Sequence, residues 1–493
     1  MKNLVVNLRT RRAGLLVVCA LAALTLAGHL TTRQSAAVPA VPPAGVPPAA
    51  PEQTSFAAPA SSPVRFSGHL DRTAVMAGGD GRVRMELVLA AEDRPAQTVE
   101  RTPTDLVVVL DRSGSMSGEK ILNARAAIHE LISRLTPADR FALVAYSSGV
   151  ELAIPLEPAT ADVRRRWTRV VDGIEPTGGT NMSSGLDLAL TVAGERSRRA
   201  RRILLISDGL ANEGDPTVEG LAGRAGRAAR LEAVVSTIGV GVDFNEFLMS
   251  AVADAGTGNY HYLRNVEHLA EVFAAEFETS RETVASALAV AIEPAPGVAV
   301  IDAAGYPLER RGSRTVFRPG SLFAGQERRV WVTFEVPHES PGRHALGAFS
   351  ADYSLAGEPR TLAFADTPAV ACVADKDLYY AAIDGDAWTR SSIEEGFNRM
   401  QQQVAGWVRA GRRDQALAEI ERYRRENEHM NVRLQRDEIR SQLEQVERFR
   451  ARVDDAFEGR HQERKRNLLS KDAQAAGLDG RRPGSKRNTE APR

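Results

Sequence analysis

Cysteine is almost absent from this 493-residue sequence. Cys19 and Cys372 are the only two, so neither a disulfide framework nor a multi-cysteine zinc site can be built from the chain. An excess of charge of one sign is absent too. Lysine plus arginine and aspartate plus glutamate number 63 each, so no global field recruits nucleic acid or an acidic membrane, and a charge-driven partner must be met locally. What is present is ordinary for folded protein: 43% hydrophobic and 26% charged residues exclude wholesale disorder and a polytopic membrane protein. The length predicts two to four domains.

Residues 1–34 read as an export segment. Lys2, Arg9, Arg11 and Arg12 precede an uncharged apolar run from Ala13 to Leu26, the order of a secretory signal. The run falls short of the roughly 20 residues that span a bilayer comfortably, so a cleaved signal peptide and an uncleaved membrane anchor both fit. Either places the bulk of the chain outside the cytoplasm, in a periplasm, cell envelope or cell surface. Residues 35–64 are dominated by Ala, Pro and Ser, with Pro39, Pro42, Pro43, Pro47, Pro48, Pro51 and Pro59. Such a segment is an extended linker.

Val83, Met85, Leu87 and Leu89 alternate with Arg82, Arg84 and Glu86, the period of a half-buried strand. Strands within 65–100 cannot fold alone. The same alternation returns at Leu288, Val290 and Ile292 and at Val330, Val332, Phe334 and Val336. The economical reading is a β-sandwich whose first strands lie in 65–100 and whose remainder spans 285–375, with an α/β domain inserted at 101–284. Inside the insert, Leu106–Leu110, Phe141–Tyr146, Ile203–Ile206 and Ala233–Val240 read as core strands. Helices are read at Ile121–Leu135, Ser183–Ala193 and Leu248–Ala255. Strands separated by helical crossovers predict a doubly wound, mostly parallel sheet, with ligands at the carboxyl ends of its strands.

Chemistry gathers at those ends. Asp111-Arg112-Ser113-Gly114-Ser115 follows the first core strand, Ser207-Asp208-Gly209 follows the strand ending at Ile206, and Gly178-Gly179-Thr180 opens a helix between them. Asp111, Ser113, Ser115, Thr180 and Asp208 bring only oxygen, without histidine or cysteine. Such a set favours Mg²⁺, with Mn²⁺ or Ca²⁺ as alternatives, over zinc. Neutral hydroxyls leave much of a cation's charge uncompensated and attractive to an incoming Asp or Glu.

The pattern Asp111-x-Ser113-x-Ser115, then Thr180, then Asp208 resembles the von Willebrand factor A domain and its metal-ion-dependent adhesion site, over about Thr104 to Phe277. The resemblance implies that the two serines bind metal directly and the threonine in one state. It implies that the carboxylates act directly or through water, and that a protein partner's acidic side chain completes the shell. The surrounding strands look like bacterial exported proteins of that superfamily. The expected function is therefore metal-dependent protein binding, in adhesion or envelope-complex assembly, and not catalysis. The alternative is a structural, oligomerising envelope subunit in which the metal only stabilises loops.

Other signals are weaker. His129-Glu130 lacks a second histidine at Ser133, and no glycine precedes Ser113 at the spacing of a hydrolase elbow. Asn212, Glu213 and Asp215 are candidates for the rim of the site, and Glu119 for a neighbouring second metal, although loop polarity and a helix-start acid explain them as well. Residues 376–459 carry three helical stripes, the last being Ile439, Leu443, Val446, Phe449, Val453 and Phe457. They predict a helical hairpin or bundle that either packs on itself or serves as a homo-oligomerisation arm. Residues 460–493 read as a basic, disordered tail.

Overall fold

The computed structural model describes residues 53–479, apart from 60–61, 93–102, 195–198, 242, 265–266, 282 and 356. The export segment and most of the linker lie outside the described residues. Among those residues no helix is long and apolar enough to cross a membrane.

A continuous apolar run such as Leu106–Leu110 has no polar face to offer water, so it must be covered on both sides. It is the middle of a six-stranded sheet ordered Thr257–Leu263, Ala233–Val240, Ala200–Ser207, Thr104–Asp111, Arg140–Tyr146 and Val150–Pro158. The first five strands are parallel. The last is an antiparallel edge strand, which the sequence reading left out; exposed Glu151 and Pro155 and half-buried Glu157 blur the alternation. Helices Glu119–Arg134, Ala161–Asp172 and Leu269–Arg281 cover one face, burying Ile128, Trp167, Phe273 and Phe277. Helices Met182–Ala193, Val218–Arg230 and Glu246–Ala255 cover the other, burying Leu186, Leu221 and Leu248. Asn181, Thr217 and Asn245 cap the last three by accepting from backbone N–H groups of the first turn, satisfying donors that a helix start leaves open.

The insertion is plain in the strand pairing. Arg82–Ala91 pairs with Glu327–Glu335, register Leu87 to Val330 and Met85 to Val332, across the whole α/β domain. These two strands belong to one sheet of the sandwich, and Thr283–Pro294 and Gly347–Leu355 to the facing sheet. Phe66, Met85, Leu87, Val290, Ile292, Val332, Phe334 and Phe349 from both sheets form one core. One alternation was misread. Glu86 reads as solvent-facing by its alternation, yet it is buried, because helix Gly385–Arg390 lies over that face and Arg390 and Arg329 neutralise the carboxylate.

The C-terminal helices Phe397–Arg409, Arg413–Leu434 and Asp437–Ala456 pack on one another. Val446, Phe449 and Val453 are buried against Val404, Ile420 and Tyr423. The stripe that could have been an oligomerisation seam is thus consumed within the chain. The expected disordered tail is corrected over part of its length, because Gln462–Asp479 is a helix, while residues 480–493 lie outside the described residues. Its buried face is made of Leu469, Ser470, Lys471, Ala473 and Gln474, too polar to register as an apolar stripe. Fully buried Lys471 donates to Glu246 Oε2 at 2.7 Å and to the Phe244 carbonyl at 2.6 Å. Arg409 and Ser470 complete the shell of Glu246, so this helix is fastened to the α/β domain by ion pairing.

Removing one partner of a buried pair leaves an uncompensated charge. Lys471→Met should lower stability by about 2–3 kcal/mol, less than the full loss because Arg409 remains. It should also hasten proteolysis within 462–479; urea unfolding and limited proteolysis read the two effects. A second buried pair makes a pH prediction. Burial pushes the Glu276 carboxyl up, but His261 at 2.8 Å, Arg202 and Asn259 outweigh it and hold the group down to about 2. A depressed carboxylate contributes stability above its ordinary value of 4.5 and loses it as pH falls from there toward about 2. Glu276→Gln should therefore flatten the acid limb of stability over that window, measured as urea midpoints.

Candidate metal centre

Asp111 is the last residue of its strand, and its carboxylate turns the chain back on itself, Oδ1 accepting from Ser113 N at 2.8 Å. A short helical turn, Gly114–Met116, anchored by buried Met116, then leads to helix Glu119–Arg134. This brings the Ser113 and Ser115 hydroxyls within 3.0 Å of each other. The neighbouring parallel strand ends in register, Leu110 beside Ile206, so Ser207 and Asp208 arrive at the same edge. Ser115 Oγ donates to Asp208 Oδ1 at 2.8 Å, and Ser207 Oγ to Asp111 Oδ2 at 2.7 Å. Two strand ends are cross-linked through their own carboxylates.

Thr180 comes from a third segment. Gly178 adopts φ +71°, a conformation that favours glycine, and its carbonyl accepts from Gly114 N at 3.1 Å. Gly179 N donates to Ser148 Oγ at 2.8 Å, and Thr180 N to Asn212 Oδ1 at 2.8 Å. The backbone of Asn212 returns the bond to the Thr180 carbonyl at 3.1 Å. A methyl group at Gly209 would lie 3.3 Å from Ser115 Oγ and 3.7 Å from Thr180 Oγ1, so both hydroxyls flank this glycine. All five residues singled out in the sequence meet at one point of the sheet edge.

The rim candidates have other work. Asn212 braces the threonine loop and Glu213 accepts from Ser148 at 2.9 Å. Asp215 is held by Thr217 and Arg224, which draw its carboxyl down to about 2. Glu119 is exposed at the start of its helix. Sequence reasoning missed Ser207, Tyr146, Ser148 and Lys120. Tyr146 ends the adjacent strand with its hydroxyl 3.4 Å from Asp111 Oδ2, and Lys120 Nζ donates to Asp208 Oδ2. A polar residue directly beside a strand-end aspartate, and a lysine five positions after Ser115, were the available signals.

Asp111 and Asp208 are both 0% exposed. Burial pushes the Asp111 carboxyl above the usual range; hydrogen bonds from Ser113 and Ser207 oppose this, and the negative charge of Asp208 adds to it. Two adjacent desolvated carboxylates favour a cation between them. Among the described residues no three His, Cys, Asp or Glu side chains group to hold a metal. The remaining donors here are hydroxyls, and this all-oxygen, carboxylate-poor set fits a hard divalent cation.

Residues 106–210 match the family model of the von Willebrand factor type A domain. The chain carries a von Willebrand factor type A domain. The matched segment contains all five converging residues. Among curated proteins, the chain is 28% identical over 239 residues to the uncharacterized protein YfbK of Escherichia coli, covering 48% of this chain and 41% of that one. It is 24% identical over 283 residues to the uncharacterized protein sll0103 of Synechocystis, covering 55% and 66%. It is 30% identical over 254 residues to WAVH2 of Arabidopsis thaliana, a probable E3 ubiquitin-protein ligase, covering 50% and 34%. The chain thus spans between a third and two thirds of the length of these relatives. Among solved structures, a von Willebrand factor type A protein from Catenulispora acidiphila superposes with TM-score 0.62 at 17% identity, over 87% of this chain and 98% of that one. The ArnB paralog VWA2 from Sulfolobus acidocaldarius superposes with TM-score 0.53 at 15% identity, over 85% and 99%. These two show the fold, and they extend well beyond the α/β domain.

Ser207→Ala would leave Asp111 Oδ2 with only the long Tyr146 contact. A loss of about 1–3 kcal/mol is expected in metal-free buffer, the cost of a buried acceptor deprived of its donor, read as a drop in urea midpoint.

Proposed function

We propose that the chain is a metal-dependent protein-binding module. Asp111, Ser113, Ser115, Thr180 and Asp208 would hold Mg²⁺, or Mn²⁺ or Ca²⁺ in its place, and a protein partner would present an Asp or Glu side chain to it. The observation that carries the reading is the convergence of two fully buried carboxylates with three hydroxyls at the carboxyl edge of the sheet. A bound dication would supply a fixed positive charge with incomplete compensation, and so an attraction for an anionic side chain. The chain's own residues do the rest. Ser207 and Tyr146 orient Asp111, while Asn212 and Ser148 hold the threonine loop in place. Leu210, two residues past Asp208, is 51% exposed and offers an apolar contact beside the charged one.

The comparisons support binding over catalysis only at the level of the domain type, and the ligase name of WAVH2 belongs to a protein of which this chain spans a third. Export to the envelope is part of the proposal and rests on the sequence of residues 1–34.

Wild-type protein should bind Mn²⁺ with measurable heat in isothermal titration calorimetry, and Asp111→Ala should abolish it. Gly209→Ala, which presses a methyl group toward Ser115 and Thr180, should weaken it. Capture of envelope proteins should depend on Mg²⁺ and be lost with EDTA. Absence of metal binding by the wild type, or capture indifferent to chelation, would reject the proposal.

A further inference from the structure

Lys120 occupies an awkward position. It is the second residue of helix Glu119–Arg134, where a cation faces the positive end of the helix dipole and is disfavoured. Helix stability does not account for it; the site does. Its ammonium donates to Asp208 Oδ2 while Ser115 holds Oδ1, so both oxygens of this aspartate are engaged. Its Cε and Nζ lie 3.9 Å from where a side chain on Gly241 would begin. The ammonium therefore stands at the edge between the strands ending at Ser207 and Val240. Asp208 is fully buried, whereas the lysine side chain is 31% exposed. One partner is fixed, and the other has an open path to water.

We infer that Lys120 is a tethered counter-ion that competes with the divalent cation for Asp208 and sets the site's metal affinity. The inference rests on the metal-binding reading above. With Lys120 in place, two carboxylates and one ammonium leave a single net negative charge, so the buried aspartate is neutralised when no dication is present. A dication held at Asp208 would compete with the ammonium, which has a flexible stem and an open path to solvent, and Lys120 would remain nearby as a second positive charge. Metal affinity is thereby weakened relative to a site without the lysine.

The test compares wild type, Lys120→Met and Lys120→Arg in the full chain, with Mn²⁺ titrated calorimetrically and thermal midpoints taken in EDTA and in Mg²⁺. Removing one competing charge at this range should tighten Mn²⁺ binding by about tenfold or more, and Lys120→Arg should stay near wild type. Lys120→Met should melt lower in EDTA and show the larger rise on adding Mg²⁺. In wild type, reductive methylation of Lys120, read by peptide mass spectrometry, should increase when Mg²⁺ saturates the site. Equal or weaker Mn²⁺ binding by a folded Lys120→Met protein overturns the inference while leaving the metal site standing. No Mn²⁺ binding by wild type overturns the metal site and the inference together.

Discussion

Two aspartates without solvent, side by side at the end of a parallel sheet, set the terms for much of this structure. Asp111 and Asp208 have traded hydration for a ring of donors from the surrounding turn, strand ends and helix start: Ser113 N, Ser115, Ser207, Tyr146 and Lys120. Desolvated like charges repel unless something positive intervenes. Those donors answer the buried charge, and the Ser113 and Thr180 hydroxyls gather beside Ser115. Most of the loop architecture, from the left-handed turn at Gly178 to the reciprocal bonds between Thr180 and Asn212, keeps that arrangement from collapsing.

The sandwich leaves this edge free. The chain enters the α/β domain at Thr104 and leaves through helix Leu269–Arg281 into Thr283–Pro294, and a crossover helix runs opposite to the strands. Both passages therefore lie at the amino edge of the sheet. Contacts of the sandwich with the domain cluster there as well. The Arg202 guanidinium stacks on Phe323, and Gly320 approaches the Thr257 carbonyl so closely that a methyl group would sit 2.8 Å away. The site points away from the sandwich.

Fold class and site were legible for different reasons. Leu106–Leu110 and Ala233–Val240 have no polar face, so their burial on both sides could be read directly, and helices at three-and-four spacing had to cover them. The five oxygen donors were legible because each sits at a strand end, in the turn that follows it or just before a helix start, where backbone geometry restricts the direction of the side chain. What escaped was carried by tertiary packing. Glu86 obeys the rule for an exposed strand position and is nevertheless covered by a helix three hundred residues later in the chain. The face of Gln462–Asp479 is built on a lysine, a serine and a glutamine, and no hydrophobic period can report burial achieved by ion pairing. Lys120 escaped for a related reason, since a lysine near a helix start reads as solvated until the neighbouring strand end is placed beside it.

The fastening of helix Gln462–Asp479 onto Glu246 bears on what counts as the working unit. Glu246 opens the helix that follows strand Ala233–Val240, one strand removed from Asp208, and its carboxylate is sealed by Lys471, Ser470 and Arg409. An excised fragment ending at Arg281 would retain the five oxygen donors but bare this glutamate and the Phe244 ring on which Lys471 rests at 4.0 Å. The smallest piece that keeps the site in its native setting therefore runs well past the recognisable domain, to the end of the last described helix.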